Sequence, residues 1–142
     1  MKRPLYQHIA SRLQAIENCE KAGNTEWLGK HRDALAWLVK EYMPSGGGID
    51  NGTSLYDKAT DNRLVFGTMY HHMNEGGYYD GWTDHTVIVT PSLTGGIDLR
   101  ITGRDRNDIK EYLHQVFFGA LTEEIEDNDP RLLLAMGVEE SP

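Results

Sequence analysis

The chain has 142 residues, a hydrophobic fraction of 39%, a charged fraction of 25% and a formal net charge of −8. This length suits one domain, 1–142, with a core of its own, and the acidic balance argues against direct nucleic-acid binding, which depends on Lys and Arg contacts to phosphates. No apolar run approaches the ~20 residues of a membrane helix, His8, Arg12 and Glu17 interrupt what would otherwise be a leader-like stretch, and the lone Cys19 excludes an internal disulfide and a multi-cysteine zinc site; cytoplasmic residence is the expectation.

The first predicted element is a helix over 4–22. Leu5, Ile9, Leu13 and Ile16 recur at helical spacing and form one apolar stripe. Pro4 suits a first turn, and Gly23 suits a C-terminal stop. A second helix follows, capped by Asn24 or Thr25, with a stripe of Leu28, His31, Leu35, Leu38, Val39 and Tyr42. Its end is set by Pro44, and the short connection makes the two helices an antiparallel hairpin.

From 44 to 62 the composition is that of an irregular Gly-rich loop, centred on Gly46-Gly47-Gly48, with a short strand expected near 54–56. Three strands are predicted next, over 63–73, 82–90 and 96–102. In the last of these Ile97, Leu99 and Ile101 alternate with Asp98, Arg100 and Thr102. Thr94-Gly95-Gly96 is a tight-turn signal, so the strands form an antiparallel meander. Asp105 is the expected N-cap of a third helix, whose buried face is Ile109, Leu113, Val116, Phe117 and Ala120 or Leu121. The stretch 123–130 is acidic and turn-forming, 132–136 is expected to dock as a short last turn, and 127–142 as a whole is expected to be a partly frayed tail.

The fold class that follows is α+β in the order ααβββα, a helical hairpin, a three-stranded antiparallel meander and a C-terminal helix, with the helices covering one sheet face. From the second helix onward the order matches that of double-stranded-RNA-binding domains. The acidic balance and the absence of a Lys-rich start to the last helix argue against that function.

The densest chemistry lies between Tyr70 and His85, at the tip of the first strand pair. Folding that hairpin is expected to bring His71 or His72 near Asp84 or His85, because opposed residues have Cβ atoms about 4.5–5.5 Å apart. Two imidazoles and a carboxylate at that separation suit acid–base chemistry or, less well, a divalent ion. The spacing matches no standard zinc signature, so no metal ligand and no cofactor are assigned. His71, His72, Asp84 and His85 are therefore catalytic candidates, against the simpler reading that they hydrogen-bond to fix the turn.

Tyr78, Tyr79 and Trp82 make the same hairpin a candidate recognition element, since such side chains are enriched in binding hot spots; capping the open end of the core is the competing reading. Arg104 and Arg106, beside the start of the third helix, are candidate anion-binding residues, although pairing with Asp105, Asp108 or the acidic tail would occupy them. The triple glycine lacks the Gly-Lys-Ser/Thr ending of a phosphate-binding loop, and no serine stands in a Gly-x-Ser-x-Gly context.

The segments Pro44-Ser45-Gly46-Gly47-Gly48-Ile49-Asp50, His71 through His85, and Gly103-Arg104-Asp105-Arg106-Asn107-Asp108-Ile109-Lys110 resemble small uncharacterised proteins of bacteriophages and mobile elements. The likeness covers most of the chain after the second helix. It carries no activity, cofactor or site residue with it. What it implies is an accessory role, in which a small acidic phage protein binds a host protein, blocking a defence system being one such role. The leading expectation is thus a binding protein for a host protein, another macromolecule or a small anionic ligand, with an oligomer allowed. The alternatives are a small enzyme, metal-dependent or not, using the His/Asp cluster, and a structural or assembly protein.

Overall fold

Leu5, Ile9, Leu13 and Ile16 are all buried on one side of α1 (Leu5–Ala22) in a computed structural model, which describes residues 1–51 and 62–136. The helix stops at Gly23, whose φ of 69° lets its own N–H reach the Glu20 carbonyl and the next N–H reach that of Cys19. Asn24 caps α2 (Thr25–Tyr42) by accepting from the Trp27 N–H at 3.2 Å. The two helices pack on each other, burying His31, Leu35, Leu38 and Val39 from the α2 stripe.

The sheet has four antiparallel strands in the order β2 (Ile49–Asp50), β3 (Leu64–Met73), β4 (Tyr79–Pro91) and β5 (Ile97–Thr102). Alternation puts Leu64 and Phe66, Val87 and Val89, and Leu99 on one face, where all are buried. Against this face lie α1 and α3 (Asn107–Thr122), which brings in Ile109, Leu113, Phe117 and Leu121. The Phe66 and Phe117 rings meet edge-on at 5.7 Å. On the other face no residue of β3 or β4 is buried.

The α+β class and the meander are as expected, but the arrangement is larger than ααβββα. β2 extends the meander by pairing Ile49 with Tyr70. A second, two-stranded sheet joins β1 (Lys2–Pro4) to β6 (Glu124–Glu126), so part of the stretch expected to be a turn is a strand. The last helix, α4 (Pro130–Met136), packs on α2 with Leu132 buried and the Tyr42 hydroxyl donating to Asp129 at 3.0 Å. The strand expected near 54–56 and the tail beyond 136 lie outside the described residues. Among the described residues, no helix is long and apolar enough to cross a membrane.

Candidate functional site

The β3–β4 hairpin has two chemically different faces, and its turn and bulge decide what each presents. Asn74 holds the turn: its side-chain oxygen accepts from the N–H groups of Gly76 at 2.9 Å and Tyr78 at 3.0 Å, and its own N–H donates to the Tyr78 carbonyl. Gly77, at φ 81°, supplies the left-handed residue. Below the turn the pairing shifts register. His71 stands opposite Trp82 and Met73 opposite Tyr79, so the single residue His72 faces two, Asp80 and Gly81. This is a β-bulge, and Gly81 at φ 87° takes its strained position.

The bulge changes which side chains share a face. Tyr79 and Trp82, three apart, would fall on opposite faces of a regular strand. With the extra residue absorbed, both stand on the outer face with His71 and Met73. The Tyr79 hydroxyl lies 2.9 Å from His71 Nδ1, and the other ring nitrogen of His71 is 3.5 Å from an Asp50 carboxylate oxygen. Tyr78 is 75% exposed, Met73 69%, and Tyr79 and Trp82 57% each. These rings are therefore not absorbed by the core.

The inner face carries a buried polar cluster. His85 is opposite Thr68, and its Nε2 lies 3.1 Å from Asp105 Oδ2. His72 Nε2 lies 3.3 Å from the same oxygen and 2.8 Å from Thr83 Oγ1. The His85 and Asp105 side chains are almost wholly buried, and that of His72 is 24% exposed. Burial pushes the Asp105 carboxyl up, but the Arg106 N–H at 2.9 Å, the hydrogen bond from His85 and the nearby His72 outweigh it and hold the group below the ordinary carboxylate range. With Nε2–H donating to Asp105, Nδ1 of His85 is buried without a hydrogen-bond partner. It sits against Gly103, where a Cβ would come within 2.5 Å of it. Gly103 has φ 145°, so both space and backbone call for glycine there.

The four catalytic candidates thus do not form one group. Neighbouring strand residues point to opposite faces, so Asp84 and His71 lie outside while His85 and His72 lie inside. Asp84 stands opposite Met69, and the expected pairing of a hairpin histidine with it does not form. His72 and His85 do meet, through Asp105. That residue was expected to cap α3, but Arg106 occupies the N-cap position and no side chain caps it. The signal for the true partner was the carboxylate two residues after Gly103, twenty residues along the chain from His85. Among the described residues no group of three His, Cys, Asp or Glu is placed to hold a metal ion.

One nitrogen of His72 faces both Thr83 and Asp105. It can accept the Thr83 proton only in the tautomer that gives no proton to Asp105. A nucleophile–base–carboxylate relay needs the carboxylate on the other ring nitrogen, so the geometry is that of a shared hydrogen-bond hub.

Arg106 Nε is 3.2 Å from Asp108, and both are exposed. Arg104 is exposed, with no ion-pair partner among the described residues. The Gly46–Gly48 loop packs on tyrosines: Tyr112 donates to the Gly47 carbonyl at 3.1 Å, and a Cβ on Gly48, at φ 91°, would lie 2.9 Å from the Tyr70 ring. Tyr70 in turn meets Tyr112 and His72 edge-on. These glycines serve close packing of the backbone on aromatic rings.

Comparison with protein-family models, with curated proteins and with solved structures gave no match.

Proposed function

We propose that the chain is a small acidic accessory protein of a bacteriophage or mobile element that binds a host protein in the cytoplasm, blocking a defence system being the role such binding would serve. The observation that carries this reading is the hairpin tip, where Met73, Tyr78, Tyr79 and Trp82 are exposed together on a turn fixed by Asn74. Tyrosine and tryptophan side chains often dominate binding energy when a partner covers them. The same hairpin carries no lysine or arginine, which favours a protein partner over a small anionic ligand; the latter would have to use Arg104 instead.

The test is stoichiometric capture from host lysate by the parent, Tyr79→Ala and Trp82→Ala, with a circular-dichroism melt of each. Capture should weaken about tenfold or more while melting stays unchanged. Full capture by both folded variants would reject the hairpin as the binding element.

A second reading, a small enzyme, is favoured by one observation: the partly exposed His72 shares a buried carboxylate with His85, whose Nδ1 lacks a partner. On that reading His72→Ala abolishes turnover. On the binding reading it weakens capture less than the aromatic changes do.

A further inference from the structure

We propose that the outer face of the hairpin is built to receive the cationic side chains of a basic protein segment, with arginine or lysine stacking on Trp82 and Tyr79 and pairing with the carboxylates beside them. This rests on the reading that the hairpin is the binding element, and it names the chemistry of the partner.

Three observations converge. The first is charge. Between Arg63 and Arg100 the chain has no lysine or arginine, a stretch that spans all of β3, the turn and β4. It does have Glu75, Asp80 and Asp84, all exposed and none with an ion-pair partner among the described residues. Elsewhere carboxylates such as Glu17, Glu20 and Glu26 lie beside a lysine or arginine. Among the described residues, unpaired carboxylates also stand elsewhere, as at Asp33, Glu111 and Glu124, but on this element they share a surface with exposed aromatic rings and with no lysine or arginine.

The second is geometry. The bulge places Tyr79 and Trp82 on one face, and Asp84 lies two residues along β4 from Trp82 on that face, about 7 Å away at the usual strand rise. Asp50 and Asp84 both stand opposite Met69, one on each side. A guanidinium over the Trp82 ring can therefore reach a carboxylate without leaving it. Ring faces attract cations, and guanidinium is weakly hydrated and matches carboxylate geometry.

The third is what the face lacks. Its basic group is His71, held between the Tyr79 hydroxyl and the Asp50 carboxylate. A nucleic acid or other polyanion meets no fixed cation here. A second copy of the chain would bring like-charged carboxylates together, which disfavours self-association through this face.

The experiment is a titration of the uniformly 15N-labelled full chain with an oligo-arginine peptide, an oligo-lysine peptide and an oligo-glutamate peptide, each at low and high salt. The Trp82 indole N–H and the Asp84 amide are followed, with the Trp27 and Trp37 indoles as internal controls. The oligo-arginine peptide should shift the hairpin signals at least as strongly as oligo-lysine, with affinity falling steeply as salt screens the charges. Trp82→Ala should weaken binding about tenfold, as should the folded double variant Asp80→Asn/Asp84→Asn, while oligo-glutamate shifts nothing. Cationic peptides that leave the hairpin signals unmoved, or that move only signals elsewhere on this acidic protein, overturn the proposal. Hairpin shifts of equal size with oligo-glutamate do the same. If the aromatic variants lose the host partner while oligo-arginine leaves the hairpin unmoved, the binding reading stands and the cationic partner falls. If oligo-arginine seats on the hairpin but the aromatic variants keep the host partner, the surface chemistry stands and the hairpin is not where that partner binds.

Discussion

Asp105 shows how a single residue can be misread along the chain and explained only in three dimensions. In sequence it stands where an N-cap should, just before a helix with an acidic residue, Asp108, in its first turn. In the fold one oxygen of its carboxylate accepts from the Arg106 N–H and the other serves His85 and His72. Local spacing could not reveal this, because the partners come from another strand pair and only the register of β4 with β5 brings them together. Asp105→Ala should destabilise the protein by about 1–3 kcal/mol, the usual cost of leaving a buried polar group unsatisfied. Asp105→Asn, which keeps an acceptor, should cost less. The carboxyl is held below its ordinary range in the folded state, so its contribution is complete above about pH 4 and is lost as pH falls through the folded value. The gap between parent and Asp105→Ala in urea midpoint should therefore be full at neutral pH and close in acid. A constant gap at all pH values would mean that the carboxylate charge plays no part. Gly103→Ala should also destabilise, through collision with His85; a variant as stable as the parent would show that the loop relaxes freely.

Elements with a long, regular apolar pattern were legible, and short ones were not. The stripes of α1, α2 and α3 and the alternation of β5 each extend over several repeats, so burial followed from spacing. β2 has two residues and β1 and β6 three each. Such segments have no period to read, and β1 finds its partner at the far end of the chain, with Lys2 opposite Glu126. The bulge was equally hidden, although Gly81 marked its position. Leu113→Ala and Phe117→Ala, both fully buried on α3, should each cost about 2–5 kcal/mol, and an unchanged denaturation midpoint would contradict this packing. The small β1–β6 sheet has its own pH signature. His8 lies buried beside it with Nε2 3.2 Å from the Ile125 carbonyl. Burial lowers its affinity for a proton and Arg3 adds to this, outweighing the pull of Ile125 and Asp127 in the other direction. A histidine depressed in the folded state contributes stability above its ordinary value of about 6.5, and that stability declines as pH falls toward the folded value. Stability should drop between pH 7.5 and 5.5 in the parent and drop less in His8→Asn. An equal decline in both would place the acid sensitivity elsewhere.

At the scale of the whole molecule, the sheet has one face filled by helices and one face open among the described residues, and the open face ends in the aromatic hairpin. The division of labour follows from strand parity. Odd and even residues of β3 separate a buried His72–Asp105–His85 hub, which ties β4 to the start of α3, from an exposed surface of rings and carboxylates. Composition alone pointed to the hairpin as the richest segment. It did not separate these two faces, because alternation places chain neighbours such as His71 and His72 on opposite sides of the sheet. The proposed function turns on whether a partner docks on the outer face of this hairpin. The most direct test places a photo-cross-linking amino acid at position 79 in one variant and at position 118, on the exposed side of α3, in another, and irradiates each in host lysate. A discrete cross-linked partner is expected from position 79 and none from position 118. A partner cross-linked from position 118 alone would contradict it.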